Sequence, residues 1–378
     1  MSENWLDNRA AVGFFPYDHP MNVRAREFGL QFPGATGELN AITDVPGVEV
    51  GYTTLIRGED VRTGVTAILP RGRERVFTPC AAGWYSLNGN GEMTGTVWLT
   101  ETGSLALPIL ITNTHAVGTC HRGIIDWLVE AFPELPDDWS LPVVAETWDG
   151  YLNDINGAHV TSADAMAAIE TAAGGPIAEG SVGGGTGMNC YGFKGGSGTA
   201  SRRVGYGKDT YTVGAFVQAN FGARKELTIR GVPLGEALAE DDPLGAWAAP
   251  AGSGSVIVVV ATDAPLLPGQ LTAMSRRVPL GLARTGTTGS HFSGDIFLTF
   301  STANEGALTS AFPNGESRYE QLTFIPWGQL NPFYDAIVQA VEEAVVNVLF
   351  AGETMVGRDG HRSPALPVDT VLKLLTTK

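Results

Sequence analysis

From residue 256 to 261 every position is apolar and most are β-branched, the pattern of a strand covered on both faces. A stretch rich in Gly, Ser, Ala and Pro stops abruptly at Ser255, so a small hydroxyl residue stands first on a buried strand. Strand patterns also cover residues 42–52, around a Pro46-Gly47 turn, and residues 65–69, 107–112, 141–147, 211–220 and 295–302. Helical spacing marks residues 123–132, ended by Pro133 and Pro136, and residues 162–173, with Ser162 as the cap and Asp164 in the first turn. Further helices are predicted at 267–277, at 331–350, the longest amphipathic run, and at 368–375. Residues 1–37 read as an irregular arm with a helical turn at 24–29. Residues 81–95 hold too much Gly and Asn for a regular element and predict a shaped loop leading into 96–100. The glycines of residues 180–203 predict close backbone approach beneath a site.

Strands and helices mix without strict βαβ alternation, which favours stacked antiparallel or mixed sheets with helices outside. Residues 237–253, with the acidic run Glu240-Asp241-Asp242, form the best candidate for an exposed, cuttable linker. Strands on both sides of it are expected to share one core, so residues 1–378 predict a single structural domain.

Composition narrows the chemistry. With 43% hydrophobic and 17% charged residues the chain is ordered and globular, and a formal charge of -16 argues against a nucleic-acid surface. Three cysteines, Cys80, Cys120 and Cys190, with no Cys-x-x-Cys spacing, read as reduced thiols of a cytosolic protein. The first 20 residues lack a continuous apolar core, and no uncharged apolar run reaches about 18 residues, so neither a secretory signal nor a membrane span is expected.

His115, Cys120 and His121 match no zinc spacing, and residues 183–187 lack the Gly-Lys-Ser/Thr of a phosphate loop, so neither metal nor organic cofactor is expected. No Gly-x-Ser-x-Gly elbow surrounds Ser255. What remains is an N-terminal nucleophile. Were the Gly254–Ser255 bond cut, Ser255 would carry both a hydroxyl and a free α-amine, whose ordinary pKa of about 7.7–8.0 suits a base near neutrality. In an extended segment Ser293 and Asp295 share a face and can both be directed at Ser255, and Glu146 and Trp148 likewise share a face.

The sequence resembles the self-processing aminopeptidases that include L-aminopeptidase/D-amidase/D-esterase and the β-aminopeptidases. The resemblance covers nearly the whole chain and is carried by Ile42-Thr43-Asp44-Val45-Pro46-Gly47-Val48, Asn88-Gly89-Asn90-Gly91-Glu92-Met93-Thr94-Gly95, Asp154-Ile155-Asn156-Gly157, Gly192-Phe193-Lys194-Gly195-Gly196 and Ala261-Thr262-Asp263-Ala264-Pro265. It implies a four-layer αββα sandwich of the α/β (α+β) class, with two central, mostly antiparallel or mixed sheets flanked by helices. It further implies a precursor that cuts itself into chains 1–254 and 255–378. By motif, Ser255 is the nucleophile, Ser293 and Asp295 the accompanying pair, Asn220 the oxyanion-hole amide and Glu146 the carboxylate for the substrate's ammonium, with Trp148 a pocket wall. Asp295 stands where the family carries Glu, and the shorter side chain leaves room for a bridging water. The implied substrates are short peptides, amides or esters with a free amino group, and the implied assembly is a homotetramer of processed heterodimers. Two alternatives stay open: an acyltransferase like ornithine acetyltransferase, disfavoured because those use a threonine, and an uncleaved binding protein.

Overall fold

In a computed structural model, the structure describes residues 23–134, 139–245, 247, 254–310, 317 and 319–376. Along the chain, β1 (Glu49–Arg57) and β2 (Val61–Leu69) make a hairpin, followed by β3 (Cys80–Ser86), α1 (Thr96–Thr102) and β4 (Ser104–Leu105). A crossover then links β5 (Ile109–Asn113) through α2 (Val117–Ala131) to β6 (Val143–Thr147), and α3 (Ser162–Glu170) follows. A two-residue hairpin, β7 (Asn189–Cys190) and β8 (Phe193–Lys194), precedes the long strands β9 (Gly196–Tyr206) and β10 (Asp209–Asn220). After a second small hairpin, β11 (Thr228–Ile229) and β12 (Val232–Pro233), come β13 (Gly254–Thr262), α4 (Pro268–Ser275), α5 (Val278–Ala283) and β14 (Ser293–Ser301). The chain continues through α6 (Asn331–Ala351), the hairpin of β15 (Met355–Val356) and β16 (Arg362–Ser363), and α7 (Val368–Thr376).

Two mixed sheets form the centre, one of order β1-β2-β5-β6 and one of order β4-β3-β14-β13-β10-β9. Each is antiparallel except for one parallel pair, β5 with β6 and β13 with β14. The layers follow from period-two alternation. On β13, Ile257, Val259 and Ala261 pack between the sheets, whereas Val256, Val258 and Val260 pack beneath the helices. Helices α4, α5 and α6 cover the larger sheet, and α2 and α3 cover the smaller one. This is the four-layer αββα arrangement, and β13 is apolar on both faces because both are covered. The larger sheet draws strands from both sides of Ser255.

Two local expectations are corrected, and one strand is added. Residues 80–86 form a central-sheet strand, because pairing with β14 supplies the ladder and Gly83 gives α4 the close approach that a side chain would block. The glycine-rich residues 196–206, given no element from the sequence, form a strand held by an eleven-residue register with β10. Helix α3 is capped by Thr161 rather than Ser162: Thr161 Oγ1 accepts the Asp164 N–H, and Asp164 Oδ2 accepts the Thr161 N–H in return. The expected arm of residues 1–37 is described only from residue 23, where a short turn of helix, Ala25–Phe28, forms.

That arm is held by charge. Glu343, wholly buried in α6, accepts Arg26, Arg202 and the side-chain amide of Asn40, joining the arm and β9 to the helix. Burial opposes ionisation of Glu343, yet the combined pull of Arg26, Arg202 and Asn40 holds its carboxyl below the ordinary range. A carboxyl depressed by folding contributes stability that is present above its unfolded pKa, about 4.3, and is lost as pH falls through the folded value. Glu343→Gln, which leaves Arg202 buried without its counter-charge, is expected to cost about 3–5 kcal/mol of unfolding free energy in urea titrations at neutral pH. It should also flatten the acid limb of the stability profile.

Candidate active site

The site forms where β10 ends and β13 and β14 begin. Antiparallel register sets Asn220 directly opposite Ser255, as Gln218 is set opposite Ile257. Both side chains therefore share the face turned toward the smaller sheet, at the mouth of the inter-sheet layer. The approach is so close that a Cβ on Gly254 would lie 1.9 Å from the Asn220 carbonyl oxygen, so only glycine fits before Ser255. The buried Ser255 Oγ donates to the Gly254 carbonyl oxygen at 2.7 Å, across the bond singled out in the sequence.

In the parallel ladder Ser293 lies opposite Gly254, Gly294 opposite Ser255 and Asp295 opposite Val256. Alternation turns the Ser293 and Asp295 side chains away from the face that carries Ser255 Oγ, so the pair addresses the backbone at this strand end. Ser293 Oγ donates to Asp295 Oδ1 at 2.5 Å. The shorter acid thus reaches its serine directly, without a bridging water. Asn88 clamps its other side: Nδ2 donates to Asp295 Oδ2 at 2.9 Å, and Oδ1 accepts the Asp295 N–H at 2.7 Å. Gly294 permits this, since a Cβ there would lie 2.4 Å from the Asn90 carbonyl. Burial raises the Asp295 carboxyl above its usual range, and the bonds from Ser293, Asn88 and Val256 oppose that shift.

Asn220 is oriented from two sides. Its Oδ1 accepts the Asn189 N–H at 2.8 Å, which identifies the amide nitrogen, and Nδ2 spends one hydrogen on the Trp148 carbonyl at 2.8 Å. The second hydrogen has no protein acceptor among the described residues, and Asn220 lines a cavity of about 750 Å³.

Glu146 sits on the same cavity, nine-tenths or more buried, accepting the Glu92 N–H at 2.9 Å and the Thr114 hydroxyl. Burial raises its carboxyl above the ordinary range; the Thr114 and Glu92 N–H bonds resist, while the nearby Glu92 carboxylate adds to the rise. Part of the lining is aromatic. Trp148 stacks on Trp247 with centroids 5.2 Å apart, and Tyr151 meets Trp247 edge-on at 5.2 Å. A cavity lined by buried carboxylate and by indoles suits a small cation with an apolar body.

Of the residues singled out in the sequence, Gly254, Ser255, Asn220, Glu146 and Trp148 line this cavity. Ser293 and Asp295 lie behind it, against the strand backbone. The supporting groups Asn88, Asn189 and Trp247 were missed. Asn88 was visible only as part of a Gly- and Asn-rich run, and its partner is 207 residues distant, so no spacing rule reaches it. Of the expected exposed linker, Ala237, Ala239, Glu240, Asp241 and Gly245 are exposed, and the segment is also tied to the body of the protein. Arg224 donates to the carbonyls of Leu238 and Glu240, Asp241 pairs with Arg362, and Trp247 lines the cavity. Residues 246 and 248–253 of that linker lie outside the described residues. Among the described residues His115, Cys120 and His121 form no metal-binding group, and all three cysteines are buried and free.

Known proteins share this arrangement over nearly the whole chain. The beta-peptidyl aminopeptidase BapA of Sphingosinicella microcystinivorans is 49% identical over 362 residues, 91% of this chain and 89% of that protein. A Burkholderia sp. beta-aminopeptidase superposes with a TM-score of 0.88 at 42% identity, covering 94% of this chain and 99% of its own. The L-aminopeptidase D-Ala-esterase/amidase of Ochrobactrum anthropi, described as a prototype of the serine aminopeptidases and a variant of the Ntn hydrolase fold, gives 0.86 at 44% identity over 94% of this chain and 98% of its own. Residues 40–363 match peptidase family S58, and this chain belongs to that family as an aminopeptidase of the Ntn hydrolase fold.

Proposed function

We propose that Ser255 becomes an N-terminal nucleophile by cleaving its own chain after Gly254, and then removes N-terminal residues from short peptides, amides or esters through an acyl-enzyme. The observation that carries this reading is the Ser255 hydroxyl lying on the Gly254 carbonyl, with the Asn220 amide in register beside it. In processing, Oγ attacks the Gly254 carbonyl carbon, its proton passes to the departing Ser255 nitrogen, and the resulting ester is hydrolysed to a Gly254 carboxylate and a free serine. Until then the nitrogen is an amide and cannot act as a base.

In turnover the freed amine takes the Ser255 proton as Oγ attacks the substrate carbonyl. The open hydrogen of Asn220 meets the oxyanion, an effect typically worth about 3–4 kcal/mol. The amine then protonates the leaving group, and water repeats the sequence on the acyl-enzyme. The Ser293–Asp295 pair is well placed to hold the new amine, because it addresses the strand backbone from which that amine is made. Glu146 receives the substrate's ammonium, which excludes blocked N-termini by leaving a buried carboxylate unpaired. The relatives named for β-peptides support β-amino acyl groups among the substrates.

Intact mass under denaturing conditions tests the nucleophile: the wild type should yield chains 1–254 and 255–378, and Ser255→Ala one full-length species. A wild type that stays whole would remove the amine from the mechanism and favour a binding protein. Glu146→Gln should raise KM by about 30-fold or more, the cost of at least about 2 kcal/mol for removing one partner of a buried charge pair. Because burial raises the Glu146 carboxyl, the wild-type KM should begin to climb, as pH falls, above the ordinary glutamate range near 4.3. The Gln variant should lack that limb.

A further inference from the structure

Lys194, on β8, is wholly buried, and no acidic side chain pairs with it among the described residues. Its ammonium instead donates to three carbonyls: Gly195 at 2.8 Å, Met188 at 2.9 Å and Gly185 at 3.5 Å. Its own backbone N–H is anchored on the Pro364 carbonyl at 2.7 Å. An isolated cation in such a place is costly, and burial pushes Lys194 down to about 7. Among the described residues the one neighbour whose charge bears on it is Cys190, a thiol that burial raises far above its ordinary value and so keeps neutral.

The Met188 carbonyl and the Asn189 N–H are the two ends of one peptide unit. The ammonium donates to the oxygen of this unit, and the nitrogen of the same unit donates to Asn220 Oδ1 at 2.8 Å. Asn220 in turn offers its open amide hydrogen to the cavity. The donors and acceptors thus run head to tail from Lys194 through one peptide and one side-chain amide to the place where an oxyanion would form. Such chains polarise one another, and because Lys194 is wholly buried the charge at the head is little screened.

We propose that Lys194 is a positioning residue for the oxyanion donor: through the Met188–Asn189 peptide it fixes the Asn220 amide and strengthens its N–H as a donor toward negative charge. The inference rests on Asn220 and Ser255 having the roles proposed above. It explains why a lysine without a counter-ion sits beneath a glycine-rich turn, where an apolar residue would fill the space at lower cost. A carboxylate beside it would cancel the charge that the chain delivers.

The test uses Lys194→Met, which keeps length and apolar bulk, and in which the Met188 carbonyl still receives the Gly195 N–H at 2.8 Å. Turnover is measured per cleaved chain, with the cleaved fraction taken from intact mass. Affinity is measured for a β-amino aldehyde, which forms a hemiacetal oxyanion on Ser255, and for the matching free β-amino acid, which forms none. The proposal predicts that kcat falls by about tenfold or more, a part of the 10²–10³-fold typical of losing an oxyanion donor outright, with KM within about twofold. Aldehyde affinity should fall by a similar factor while amino-acid affinity holds. An unchanged kcat, or equal weakening of both ligands, overturns the role of Lys194. If the wild type binds the aldehyde no more tightly than the amino acid, it is the reading of Ser255 and Asn220 that fails. Should the Met variant not accumulate, Lys194→Gln, neutral but still able to donate, is measured in the same way and must show the same selective loss.

Discussion

The site depends on one register, that of β10 against β13. Because side chains alternate with period two, a slip of β13 by one residue would turn Ser255 to the helix side, away from Asn220, and place Val256 between the sheets. The slip is blocked by burial on both faces of β13 and by the contact of Gly254 with the Asn220 carbonyl, which admits no side chain. The strand that carries the candidate nucleophile is therefore among the best-determined parts of the molecule. An attacking group held this rigidly loses little entropy on the way to reaction.

Around that register the protein handles buried charge in two ways. Glu343 is compensated by two arginines and an asparagine, and its work is to fasten the N-terminal arm to α6. Glu146, Asp295 and Lys194 are satisfied mainly by neutral donors or acceptors, so each keeps an uncancelled charge or a perturbed proton affinity. Glu146 lines the cavity, and Asp295 and Lys194 are joined to residues that line it through Asn88 and the Met188–Asn189 peptide.

Much of this was legible beforehand. The unbroken apolar run after Ser255 announced a doubly covered strand, and its abrupt start marked a hydroxyl at the strand's first position. The motif segments led to family and fold, and the composition to an ordered globular chain. Local pattern failed where tertiary pairing overrode it. Residues 81–95 look too rich in Gly and Asn for a regular element, yet 80–86 pair with β14 in the sheet, and the glycine-rich residues 196–206 pair with β10, their glycines admitting a helix or a turn at close range.

What the sequence determined by itself was which chemistries the chain could perform and where its buried strands lie, because hydrophobic period and residue type are local properties. Only the tertiary structure decided which groups meet. Asn88 reaches Asp295 across 207 residues, Trp247 stacks on Trp148, and one peptide unit joins Lys194 to Asn220. These meetings follow from strand order and register, which depend on how two sheets close over a shared core, and no spacing along the chain encodes them.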